Sequence, residues 1–164
     1  MIVLPVAPIT AVGFAPYGWL AAGEGRDGRL INDGTSLRID DVGELALTAE
    51  GGVPSLSVFR ASARDLRGQW RWLERHRLGT QTFIPLGGVH HVALVATGDP
   101  QPDLATLAAF LVSGNQATTL RAGTWHHGLI ALERGDFVVV DRHAGVLDCE
   151  IAELAEAVTL IGAG

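Results

Sequence analysis

Glu74, His76 and Gln81 lie within LERHRLGTQTFIPLGG (73–88), and His126 lies further along within RAGTWHH (121–127). A carboxylate, two imidazoles and an amide oxygen are the groups that hold a divalent cation, and the imidazoles also move protons near neutral pH. Read as a strand, QWRWLERH (69–76) puts Trp70, Trp72, Glu74 and His76 on one face and Arg71, Leu73 and Arg75 on the other. Gly79 permits a turn, so a hairpin would bring Gln81 back beside Glu74 and His76. Taken singly, His76 reads equally well as an exposed strand residue, and Glu74 as an ion-pair partner of Arg71 or Arg77. The shared spacing of four such groups in two distant segments favours a site.

The rest of the chain must position these groups. Its 164 residues suffice for one compact domain, expected to span 1–164. Acidic residues outnumber basic ones, 18 to 12, and the arginines are scattered, which argues against a nucleic-acid partner. Cys149 is the single cysteine, so neither an internal disulfide nor a thiolate zinc site is expected, and the cytoplasm is the natural compartment. Met1–Gly23 carries no charge, but Pro5, Pro8 and Pro16 break a helix there and no basic start precedes it. That segment reads as β-rich and partly buried, with no membrane association.

Runs of β-branched and aromatic residues recur at 55–61, 80–86, 91–97, 128–133 and 136–142, broken by Gly, Pro and Asp. The pattern is mainly β. In PDLATLAAFLVSG (102–114), Asp103 stands in a capping position, Leu104, Leu107, Ala108 and Leu111 recur at helical spacing, and Gly114 is a stop signal. A helix is expected there. The tail EIAELAEAVTLI fits a short helix or a strand. GEGRDGRLINDGTS (23–36) reads as a long surface loop, either a solvated turn or a segment that closes over a ligand.

Glu74, His76, Gln81 and Gly88 fall in the register of the first cupin motif, with Glu and Gln in place of its first His and its Glu. Gly123 and His126 match the second motif, with Arg121 where proline is usual. Together with GTWHHGLIAL and DFVVVDR, these segments resemble the ureidoglycolate lyase family, long called ureidoglycolate hydrolase, of the cupin superfamily. The resemblance covers most of Leu56 to Arg142 and implies a cupin-like jelly-roll β-barrel with one or two short helices. It implies cleavage of ureidoglycolate to glyoxylate and urea in allantoin and purine degradation, a nickel-type metal requirement and a homodimer.

Under that reading His76, His126 and Glu74 are the candidate catalytic residues, and Glu74, His76, Gln81 and His126 the candidate metal ligands. A metal-free site using the same side chains is the alternative. Asn32, in a segment similar to that family's Asn-containing loop, and Gln81 are expected to hold the ureido or hydroxyl groups, and Arg60 to grip the carboxylate as a planar fork. Arg60 as a surface arginine at a strand end is the competing reading. Three positions depart from the family pattern: Arg77 and Gly128 stand where it has proline, and Ala117 where it has glycine. Two other functions stay open, an amidohydrolase releasing ammonia and CO2 and a non-catalytic cupin that binds a small carboxylate.

Overall fold

The computed structural model describes residues 1–162. The uncharged N-terminus forms β1 (Ile2–Pro8), a one-turn helix α1 (Ala11–Phe14) and β2 (Gly18–Ala21). β3 (Arg29–Ile31) and β4 (Ser36–Arg38) follow, then β5 (Val53–Ala61), β6 (Trp70–Arg75), β7 (Gln81–Pro85) and β8 (Gly88–Ala96). The second half runs through β9 (Ala108–Gly114), β10 (Ala117–Leu120), β11 (Trp125–His126), β12 (Ile130–Ala131), β13 (Gly135–His143) and β14 (Glu150–Ile161). Among the described residues, no helix is long and apolar enough to cross a membrane.

Six strands close into a barrel in the order β11-β6-β14-β1-β9-β8, with β8 pairing back to β11. β1 runs parallel to both of its neighbours and the other pairings are antiparallel. Trp70, Leu73, Leu94, Ala109, Trp125, Leu154 and Val158 fill the barrel. A second sheet, β2-β10-β7-β13-β5, lies against one wall of it, and Phe14, Phe83, Val95, Phe110, Val112, Phe137 and Val139 pack between them. This mainly β architecture is consistent with the jelly-roll barrel expected from the resemblance.

Two local expectations are corrected. Asp103 does cap a helical turn, accepting from the Ala105 N–H, but the turn is a 3-10 segment confined to Leu104–Thr106, and 108–114 is strand β9. β9 is apolar on both faces because Ala109 faces the barrel interior while Phe110 and Val112 face the second sheet. A short run buried on both sides has no period that separates strand from helix, and pairing with β1 and β8 decides it. The second correction concerns the expected hairpin. β6 belongs to the barrel and β7 to the second sheet, so the chain crosses between layers at 76–80. Gln81 therefore lies across the gap between the layers from Glu74. The alternation in β6 also breaks near a β-bulge, and Trp70 shares the barrel core with Leu73.

The tail resolves as strand β14. Part of the 23–36 segment forms the β3–β4 hairpin, with Asn32 and Asp33 in left-handed conformation at its tip.

Candidate active site

β11 pairs with β6 so that His126 lies directly opposite Glu74. The partners just inside them, Trp125 and Leu73, fill the barrel, and alternation turns Glu74 and His126 out toward the second sheet. His76 follows immediately after β6. Its backbone carbonyl accepts from the Gly123 N–H at 2.7 Å, tying the two motif segments together at the backbone. Gly123 has φ +85°, a left-handed conformation that glycine takes without steric cost.

The ligand-capable atoms of Glu74, His76 and His126 all lie within 4.8 Å of one another. His126 is 2% exposed, with its Nε2 3.6 Å from a Glu74 carboxylate oxygen. The His126 Nδ1 faces the Thr124 carbonyl at 3.0 Å and the His76 Nδ1 faces the Asp148 carbonyl. Carbonyls only accept, so each Nδ1 carries the ring hydrogen and each Nε2 presents a bare lone pair. Burial pushes the His126 pKa down to about 4, which keeps that ring neutral at neutral pH; the bond to Thr124 opposes the shift and the neighbouring histidines reinforce it.

Among the described residues neither Nε2 atom has a hydrogen-bond partner, nor does Gln81 Oε1, and all three are buried. Two buried imidazole acceptors beside a carboxylate, with nothing donating to either Nε2, form a cluster that is costly unless a cation or another donor lies among them. The side chains present thus fit a divalent metal ion.

Around these groups stand residues that spacing alone did not mark. Asp148 accepts from the backbone N–H groups of Arg77 (3.0 Å) and Leu78 (2.6 Å) while its own carbonyl orients the His76 ring. Cys149 donates weakly to Glu74 Oε2 at 3.7 Å, and burial followed by the nearby Glu74 charge pushes its pKa up, so it remains a thiol. His127 lies against Trp72 and Trp70, with ring centroids at 4.1 and 4.9 Å, on the far side from His126 as alternation required.

The structure does not bring Arg60 or Asn32 to this group. Arg60 is on the outer face of β5, its side chain 73% exposed, and it makes a bidentate pair with Asp136 at 2.9 and 3.0 Å. Asn32 is exposed at the β3–β4 tip and bonds within its own turn, its Nδ2 donating to Ser36 Oγ. Of the departures from the family pattern, Arg77 pairs with Asp99 and Glu150, Ala117 lies opposite Ala21, and a Cβ at Gly128 would stand 3.7 Å from Glu74 Oε1.

His91 is buried in the same inter-layer space, lining one small cavity with His126, and neither of its ring nitrogens has a partner. Burial, with a smaller push from His90, lowers its pKa from 6.5 to about 4. Between those values the unfolded chain binds a proton that the folded one refuses, so stability is lost as pH falls from 6.5 toward 4. His91→Leu is expected to remove about 2 kcal/mol of that loss at pH 5, because a 2.5-unit difference is then largely expressed. Denaturant melts of both proteins at pH 7 and pH 5 check this, and parallel losses would contradict it.

The sequence profile of a family described as ureidoglycolate lyase matches residues 1–161. A protein named ureidoglycolate lyase from Burkholderia cepacia is 40% identical over 151 residues, covering 90% of this chain and 84% of its own length. The protein of that name from Burkholderia mallei (strain NCTC 10229) is 40% identical over 141 residues, covering 85% and 82%. The one from Escherichia coli (strain K12) is 38% identical over 154 residues, covering 93% and 95%.

Proposed function

The chain belongs to the ureidoglycolate lyase family, and from that premise we propose that it cleaves ureidoglycolate to glyoxylate and urea at the Glu74, His76 and His126 cluster. The observation that carries the reading is the convergence of two buried, unpartnered imidazole nitrogens on one carboxylate between the barrel and the second sheet.

The substrate carbon bears a hydroxyl, a carboxylate and a ureido nitrogen. Cleavage moves the hydroxyl proton to nitrogen: the O–H electrons become the second C–O bond, the C–N pair leaves with nitrogen, and urea departs with that proton. Water enters no bond, so the reaction is an elimination. Glu74, His76, His126 and Gln81 would hold a divalent ion, nickel by resemblance to the family. When bound, it supplies Lewis-acid stabilisation to the oxygen losing its proton. Glu74 takes the proton from the hydroxyl and returns it to the leaving nitrogen. His126, held neutral by burial, offers only its Nε2 lone pair, which would serve the ion, and does not compete as an acid. Asp148 fixes the same tautomer in His76.

Purified protein stripped with a chelator and then reloaded with nickel or manganese, incubated with racemic ureidoglycolate, tests this. Urea and glyoxylate in equal amounts above the spontaneous rate, dependent on the added ion, are expected. Ammonia in place of urea would make it an amidohydrolase, and binding of glyoxylate without turnover would make it a sensor; either overturns the lyase reading.

We also propose that the protein is a homodimer. Leu56, Val58, Val138 and Ile84 are on the outer face of the second sheet, beside the edge of β5 that is unpaired among the described residues, and most of them are exposed. An apolar face next to a free edge is what a second copy covers. Light scattering should read twice the chain mass, and Val58→Glu should return it to one.

A further inference from the structure

A cavity of about 300 Å³ opens on the inner side of the β5–β13 pair and is lined by His76, Ser55, Ser57, Asp141 and His143. The register explains why these residues share a wall. Asp141 lies opposite Ser55 and Val139 opposite Ser57. Val139 and Phe137 are in the core between the layers, so alternation along β13 turns Asp141 and His143 the same way. Ser55 and Ser57 are half-buried while their strand neighbours Leu56 and Val58 are exposed, which puts the serines on that inner face too. Arg60 has the parity of Leu56 and Val58 and is on the other side of the sheet.

Asp141 forms no ion pair among the described residues, in contrast to Asp99, Asp136 and Glu150. A half-buried carboxylate flanked by two hydroxyls, in a small cavity that His76 also lines, matches one part of the proposed substrate. A ureido group is planar and neutral, and one edge presents two parallel N–H donors. A carboxylate accepts such a fork through both oxygens, as it accepts a guanidinium. A serine hydroxyl beside it takes the remaining terminal N–H. The volume is at the small end of ligand cavities, suited to a short polar acid.

We propose that Asp141, with Ser55 and Ser57, forms the subsite for the ureido group, so that the substrate spans the cavity with its hydroxy-acid end at His76 and its urea end at β13. This rests on the ureidoglycolate reading and adds its specificity residue. Asp141 binds the leaving group and does not exchange its proton, so it discriminates between the two products: urea needs it and glyoxylate does not.

The test is a titration of wild type and Asp141→Ala with urea and, separately, with glyoxylate, read by backbone amide NMR shifts, which requires no turnover. Wild type should bind urea with shifts at Ser55, Ser57 and Asp141. Asp141→Ala should weaken urea binding roughly 10- to 100-fold and leave glyoxylate binding unchanged. Asp141→Asn, which keeps the shape and loses half the fork, should fall between them. In turnover the same variants should raise KM for ureidoglycolate by a similar factor with kcat little changed. Urea binding that is unaffected by Asp141→Ala, or absent from these amides in wild type, overturns the subsite. So does an equal loss of urea and glyoxylate binding, which would mark a merely structural role. A wild type that binds urea here yet cleaves nothing would overturn the lyase reading and leave the subsite standing.

Discussion

Replacing His126 with alanine is expected to lower kcat for ureidoglycolate cleavage about a thousandfold, the range seen when a positioned proton-handling or metal-holding side chain is removed. The variant loses one of the buried lone pairs facing Glu74 and leaves the carboxylate and His76 with less to hold a cation. Its effect on stability should be small. The ring fills space at the inter-layer core, but its Nε2 is buried without a partner, so lost packing is offset by relief of a desolvated atom. Steady-state kinetics paired with thermal melts check both halves. A kcat within tenfold of wild type would remove His126 from the site.

Arg75→Ala is expected to cost about 3 kcal/mol of stability, or roughly 10 °C in Tm for a chain of this size. The Arg75 side chain is 2% exposed. Its guanidinium bonds Glu150 at 2.9 Å, Asp99 and the Gly98 carbonyl at 3.2 Å and the Pro100 carbonyl at 3.1 Å. It also stacks 4.3 Å from the centroid of Trp125. Arg75 immediately precedes His76 and Trp125 immediately precedes His126, so one planar cation holds the two site strands in register. Activity should therefore fall at least tenfold even at temperatures where the variant is folded. Lysine should not rescue it, since an ammonium lacks the flat fork that stacks and bonds along its edge. Thermal melts and kcat/KM at 15 °C are the measurements, and a Tm within 3 °C of wild type would contradict the assignment.

The candidate site was legible because its spacing is local. Glu74, His76 and Gln81 sit within one segment, and Gly123 and His126 within another, so their joint register could be read without knowing the path between them. The path itself was less legible. The crossing at 76–80 reads as a hairpin because Gly79 permits a turn, and only the competing partners of β6 and β7 send the chain into a second layer. The 108–114 run misleads for a related reason, since a strand buried on both faces carries no alternation.

Residues that act through distant contacts gave no local signal. Asp148 reaches back to the turn after β6, and the wall formed by Asp141, Ser55 and Ser57 exists only once β5 and β13 pair. One signal was available for Arg60. The parity of SLSVFR places it with Leu56 and Val58 and opposite the serines, and the structure puts it on the solvent side, bonded to Asp136.

In the proposed site the lone pairs of His76 and His126 face one point beside Glu74. Histidine-selective NMR during titration with Zn²⁺, a diamagnetic divalent ion, measures this directly. One equivalent of zinc is expected to shift the Nε2 resonances of His76 and His126 together along a single binding curve, while His90 and His91 stay unchanged. Two separate curves, or a response from only one of the two rings, would contradict it.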